Sequence, residues 1–444
     1  MEMHPLRMEA LAARIRAGEL EAFMRQGDAC AWCRQPIRLR GREFAVDRDG
    51  RRRLAFSSLA LPDGVVLKAC GNRRATRCPS CARLYRADAR HLVKAGLEGG
   101  KGVDEGVARH PAVLLTLTAP SFGPVHRSRV GRAPCHPGDP KRRCPHGRPT
   151  SCFLRHTDDE RSVGEPLCPD CYDYSGQVRH NGCTPELWRR TSIYIPRYLA
   201  KVLDLSQPDF NERFRVTFVR VAEFQRRGAV HLHVVVRLDA ADGGDPGPLG
   251  AELGAACLAA ARSVSVGHGA DQVRWGAQVD VELLDDREGS RAGRLASYVA
   301  KYAVKSSTES GVLDRAVRDE VDLAARPLSS HERRQVRTAW RLGGPHRRYA
   351  HCFGYGGHFL TKSRHYSTTF SALRGARKDW RVGHRVRRGA EATAVAFESR
   401  WRAVGVGWKN RGEVINAEEC RESYFENKRE AAEALADERA RRDG

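Results

Sequence analysis

Fourteen cysteines occur in this 444-residue chain, and eleven of them fall between Cys30 and Cys183. Six of the eleven form Cys-x2-Cys pairs: Cys30/Cys33, Cys78/Cys81 and Cys168/Cys171. That spacing brings two thiolates onto one turn, as tetrahedral zinc requires. The first residues, MEMHPLRMEALAARIRAGELE, alternate charge and hold no apolar signal core, so the expected location is cytoplasmic and the thiols reduced. Between about 125 and 181 the composition turns to Pro, Gly, Arg, Cys and His, which builds no apolar core and has to be folded by metal. The expected zinc ligands are Cys30, Cys33, Cys78 and Cys81 at one site, with Cys70 a possible substitute. A second site combines Cys168 and Cys171 with two of Cys135, Cys144, Cys152 and His156, and Cys144 and Cys152 are chosen. Cys183, Cys257, Cys352 and Cys420 are read as reduced, non-liganding thiols.

Lys and Arg number 77 against 54 Asp and Glu, a net charge of +23, which favours a polyanion, nucleic acid first, as partner. The apolar runs, such as 112–117, are far short of the roughly 20 residues that span a bilayer, so no membrane partner is expected. Lys101, in the glycine-rich break at 99–102, lacks the following Ser or Thr of a phosphate loop, which excludes that class of ATPase. Between Thr361 and Ala390 nine Lys or Arg, interleaved with aromatics, meet the single acid Asp379. Lys362, Arg364, Arg374, Arg377 and Lys378 are the DNA-binding candidates there.

Apolar periodicity predicts one helix over 1–25, short strands near 52–56 and 64–68, and a helix over 82–97. It then predicts a buried strand over 112–118, a helix over 185–205, a hairpin of 214–224 with 230–238, a helix over 249–263, a strand over 278–284 and a helix over 293–305. The class is α+β, in four regions. Residues 1–104 form an N-terminal helix and zinc-ribbon DNA-binding region. Residues 105–310 form the central domain, with a Cys/His-rich insertion at about 125–183. Residues 311–410 form a basic helical DNA-binding region, and 411–444 a charged, solvated terminal helix.

Two motifs carry chemistry. In Val230-His231-Leu232-His233 the two imidazoles lie on one face of a strand, where they hold a divalent ion such as Mg²⁺ or Mn²⁺ with positions open to a phosphate oxygen. A three-residue hairpin loop at 226–228 sets Glu223 opposite His231, whereas a two-residue loop sets Phe224 there; Glu223 ranks first as third ligand and Gln225 second. In Tyr298-Val-Ala-Lys301-Tyr302-Ala-Val-Lys305 helical spacing puts two phenols and two ammonium groups on one stripe. A phenol is a poor nucleophile at neutral pH unless a cation stabilises its anion, and a lysine one turn away does that or holds a phosphate.

The order Leu-Thr-Leu-Thr (115–118), His-x-His, Tyr-x2-Lys resembles the three motifs of HUH endonucleases of the rolling-circle replication initiator type. YVAKYAVK is similar to the paired-tyrosine motif of phage gene-A-type initiators. CGNRRATRCPSCARLYRADA, TLTAPSFGPVH, PLCPDCYDY, VAEFQRRGAVHLHVVVRLD and GHFLTKSRHYSTT resemble the RepSA-like initiators of actinobacterial plasmids and integrative elements, over about 28–380. The resemblance implies an HUH-type antiparallel sheet with flanking helices. It implies a DNA nickase in which an ion at His231/His233 polarises a phosphate while a tyrosine attacks, leaving a 5′-phosphotyrosine and a 3′-hydroxyl that primes synthesis. Tyr302, in a Lys-Tyr-x2-Lys context, ranks before Tyr298. Host helicase and polymerase are implied partners, and structural zinc an implied cofactor. Conjugative relaxases carry their tyrosine before the histidines, unlike this chain. Two-tyrosine HUH transposases share the order and an N-terminal cysteine-rich ribbon, and a non-catalytic zinc-ribbon DNA-binding regulator is the further alternative.

Overall fold

Strands that alternate apolar and polar residues pair where one face can be buried, and the hairpin of Phe214–Phe224 (β5) with Val230–Ala240 (β6) is the longest such pair in a sheet of five. The computed structural model describes residues 3–46, 48–128, 133–284, 294–299, 315–376 and 396–443. It divides into two units, one of 1–87 with 371–444 and one of 88–370. Both are built on antiparallel sheets, so the class is mixed α and β.

In the unit 88–370 the sheet has the order β7 (Val279–Leu283), β4 (Ala112–Leu117), β6, β5, β8 (Leu360–Lys362). β6 sends Val230, Leu232, Val234, Val236 and Leu238 into the core, against Leu187, Ile195 and Leu199 of α4 (Tyr174–Val202) and Leu253, Ala256 and Ala260 of α6 (Gly250–Ser263). α4 starts eleven residues before the expected Pro185 and runs through it, capped by the Asp173 carboxylate, which accepts from Gly176 N at 2.8 Å. Its early turns are polar but buried: Asn181 donates to Gly228 O at 2.9 Å and accepts from Val230 N at 2.9 Å, fixing the hairpin from outside.

In the other unit the chain start is two helices, α1 (Pro5–Arg16) and α2 (Leu20–Ala29), where one was expected. Gly18, at φ +68°, breaks them in the left-handed region that favours glycine. The buried Arg14 then reaches Glu19 and Glu413, each at 2.6 Å, and Asp63. The sheet here is centred on β1 (Ile37–Val46), which pairs with β2 (Arg52–Ser57), β3 (Val66–Lys68) and β9 (Ala396–Val406). β9 lies where a basic helical region was expected; its side chains alternate beside β1, and pairing with that strand decides its conformation. The terminal helix Arg411–Asp443 is not solvated throughout, since Glu413, Asn416 and Ala417 are buried. Among the described residues no helix is long and apolar enough to cross a membrane.

Candidate active site and metal centres

The face of β6 away from the core carries His231, His233, Val235, Arg237 and Asp239. One end of that face is closed: Arg237 donates to Asp239 at 2.5 and 2.8 Å and to Gly96 O, and lies over the Tyr366 ring. The histidine end is where chemistry is possible. The two imidazole rings stand 4.6 Å apart. Thr116 Oγ1 lies 3.5 Å from His233 Nδ1, and Thr118 Oγ1 lies 3.3 Å from His231 Nδ1. The Leu-Thr-Leu-Thr strand thus contributes more than burial: its two hydroxyls engage one nitrogen of each ring, the outer contact that orients metal-binding histidines. Sequence reasoning named this strand but gave its threonines no role; the signal was two hydroxyls at alternate positions of a strand otherwise buried and apolar.

The hairpin register sets Glu223 opposite His231, the arrangement of the three-residue loop. Gly228, at φ +78°, closes that loop, with Gly228 N donating to Gln225 O at 2.7 Å. Glu223 Oε2 lies 3.5 Å from His233 Nε2. Gln225, ranked second, is instead bound into the turn, its Oε1 accepting from Arg227 Nε at 2.9 Å. Burial, with His233 and Arg227 adding to it, pushes His231 down to about 3, so its ring is neutral at neutral pH and fit to donate a lone pair to a cation. Two imidazoles and one carboxylate thus share this face, with a hydroxyl at the Nδ1 atom of each ring.

Tyr298 belongs to helical residues 294–299, and its partly exposed ring stands edge-on to His233, centroids 5.5 Å apart. Lys301, Tyr302 and Lys305 lie outside the described residues, as do Arg377 and Lys378. Lys362 is on β8 and donates to Ser363 O and Arg364 O, each at 3.2 Å, while Arg364 and Arg374 are exposed.

Three cysteine and histidine groups have ligand atoms close enough to share an ion. The first is Cys33, Cys70, Cys78 and Cys81, with Sγ separations of 3.6 Å (33–78), 3.7 Å (33–81) and 3.7 Å (70–81). A tetrahedral zinc with Zn–S near 2.3 Å has edges of roughly 3.8 Å, so the fit is close. Hydrogen bonds from Cys33 and Cys81 hold the Cys78 thiol far below its usual value. Cys30, expected here, is set aside: it sits at the end of α2, its Sγ donates to Gly27 O at 3.3 Å, and Cys70 takes the fourth position. The pair spacing does not distinguish Cys30 from Cys70, since Cys30 packs in the same cluster as Cys33, Cys78 and Cys81.

The expected second set is divided between two groups. Cys144, Cys168 and Cys171 gather with His146, whose Nδ1 is 3.2 Å from Cys171 Sγ and 3.8 Å from Cys168 Sγ. Cys152 joins His126, Cys135 and His156 instead: its Sγ is 3.5 Å from His156 Nε2, which is 3.2 Å from His126 Nδ1. Glu160 lies 2.7 Å from the other nitrogen of His156, a carboxylate orienting the ring from behind. Both groups fit zinc in number, atom type and separation.

The family described as "Replication initiator protein, pSAM2" (RepSA) matches residues 19–422 of this chain. A replication initiator protein of Streptomyces ambofaciens is 37% identical over 436 residues, covering 91% of this chain and 90% of the relative. No solved structure matches.

Proposed function

Because this chain belongs to the RepSA replication initiator family, we propose that it nicks one strand of DNA at an origin by tyrosine attack on a phosphodiester, through an HUH-type site on the β4–β6–β5 sheet. The observation that carries this reading is Tyr298 standing against His233 within the His231, His233 and Glu223 cluster. His231, His233 and Glu223 would hold the divalent ion, with Thr116 and Thr118 keeping both rings in place. What such an ion supplies when bound is Lewis-acid polarisation of a phosphate oxygen.

The phenolic oxygen bonds to phosphorus as the bond from phosphorus to the 3′ oxygen breaks. The phenol gives its proton to solvent and the departing 3′ oxygen takes one up. The products are a 5′-phosphotyrosine and a 3′-hydroxyl able to prime synthesis. Tyr302, four residues on in the sequence and ranked first there, is the other candidate nucleophile, and Lys301 and Lys305 would steady the phenolate or the phosphate. With no phosphate loop in the chain, unwinding and copying fall to host helicase and polymerase.

The test incubates the protein with Mn²⁺ and a supercoiled plasmid carrying the element's own origin, then looks on denaturing gels for protein joined to a 5′ DNA end. The adduct is expected with wild type and lost in His231→Ala and in the double variant Tyr298→Phe/Tyr302→Phe. The single tyrosine variants assign the first attack. An adduct that persists in the double variant rejects this site as the source of the nucleophile.

A further inference from the structure

Along the β1–β9 pair, Arg40 lies directly opposite Arg402 and Arg42 directly opposite Arg400. Residues two apart on a strand share a face, so these four guanidinium groups form two rows of two on one side of the sheet. All four are exposed. Like charges directly opposed across strands are destabilising, and here two such pairs are stacked. The acid that β9 presents on this face, Glu398, is already paired with Arg52. The acid of β1, Glu43, lies on the reverse face, where Ser399 Oγ donates to it at 3.1 Å. No described carboxylate pairs with any of the four arginines.

Close approach at Gly41 sets this register. A Cβ there would come within 2.1 Å of Arg400 O and 2.6 Å of the Trp401 ring. Trp401 lies over Gly41 on the reverse face, 5.9 Å from the Phe56 ring. A shallow groove of about 450 Å³ is bounded by the four arginines together with Phe44, Leu59 and Trp401.

We propose that this face binds the phosphate backbone of duplex DNA, an inference that takes its polyanion from the replication-initiator reading. Guanidinium forks match phosphate oxygens two by two. A single strand is held by bases stacked on open aromatic rings between basic groups, whereas the two rings at this groove are already engaged: Trp401 stands against Phe56, centroids 5.9 Å apart, and Phe44 is covered by the Arg52 guanidinium at 5.1 Å.

The test measures binding of a labelled origin duplex and of a single-stranded oligonucleotide spanning the nick site, from about 50 to 200 mM salt. It compares wild type, the quadruple variant Arg40→Ala/Arg42→Ala/Arg400→Ala/Arg402→Ala, and a control, Arg16→Ala/Arg411→Ala, which removes exposed arginines of the same unit away from the sheet. Each arginine lost from a phosphate contact flattens the log–log salt dependence by about 0.9. The quadruple variant is expected to bind duplex at least about 10-fold more weakly, with a slope smaller by about 3 to 4, while the control matches wild type. Single-strand binding and adduct formation on the oligonucleotide stay at wild-type levels. The variant melts no lower than wild type, because relieving the opposed charges costs no fold. Unchanged duplex affinity and slope overturn the proposal, as does an equal loss on single-stranded DNA. Weakened duplex binding by a protein that forms no adduct supports this face while rejecting the nicking site.

Discussion

Thr116 and Thr118 show how much of the site depends on groups that touch no substrate. Each engages the Nδ1 of one histidine, and losing such an outer partner typically costs about 10- to 100-fold in metal affinity or activity. Thr116→Val and Thr118→Val are therefore expected to raise the Mn²⁺ concentration for half-maximal nicking by about that factor while adduct yield at saturating Mn²⁺ largely recovers. At the other end of the same strand face, burial raises the Asp239 carboxyl, but hydrogen bonds with His110 and Arg237 outweigh it and hold the group below its usual value. A carboxyl depressed on folding stabilises above its unfolded pKa of about 3.9, and the contribution fades as pH falls through the lower folded value. Asp239→Asn leaves Arg237 buried without a counter-charge, so urea unfolding at pH 7 is expected to show a loss of about 3 to 5 kcal/mol. The gap from wild type narrows when the same measurement is made in acid below about pH 4.

At the level of elements, the hairpin was readable because its turn chemistry is local. Gln-Arg-Arg-Gly-Ala between two β-rich runs places a glycine where φ is positive, and the three-residue loop it closes sets Glu223 opposite His231. A Cβ at Gly228 would also come within 2.3 Å of Gln335 Oε1. Gly228→Ala is expected to cost at least about 1 to 2 kcal/mol in denaturant unfolding and to lower adduct yield by displacing Glu223. The start of α4 was not readable, for the opposite reason. Gln177, His180, Asn181 and Thr184 are buried polar residues, two of them bonded to a turn about fifty residues ahead, so no apolar stripe announces these helical turns. Likewise Gly18 ends α1 within a pattern whose apolar spacing continues smoothly across the break.

For the whole molecule, the three metal groups predict the stoichiometry. Zinc analysis of the purified protein is expected to find one ion for each of the three groups. Cys33→Ser, Cys135→Ser and Cys168→Ser each remove one ion from a different group. Chelation exposes the segment 133–171 to protease before the β4–β6–β5 sheet, because that segment contributes little to the apolar core. A variant that loses two ions at once would show that the His126 and His146 groups are a single site.

The histidine strand, its turn and the abundance of metal-ligating residues follow from local order in the chain, since strand alternation and turn preference act over a few residues. Which cysteine completes each metal group, and which distant strand completes the first sheet, depend on the folded path. Cys70 rather than Cys30 stands with Cys33, Cys78 and Cys81, and β9 pairs with β1 from at least 350 residues away. Spacing along a chain specifies which residues can be neighbours within a turn or a strand. Partners brought together by packing carry no such periodic mark, so only the tertiary structure selects them.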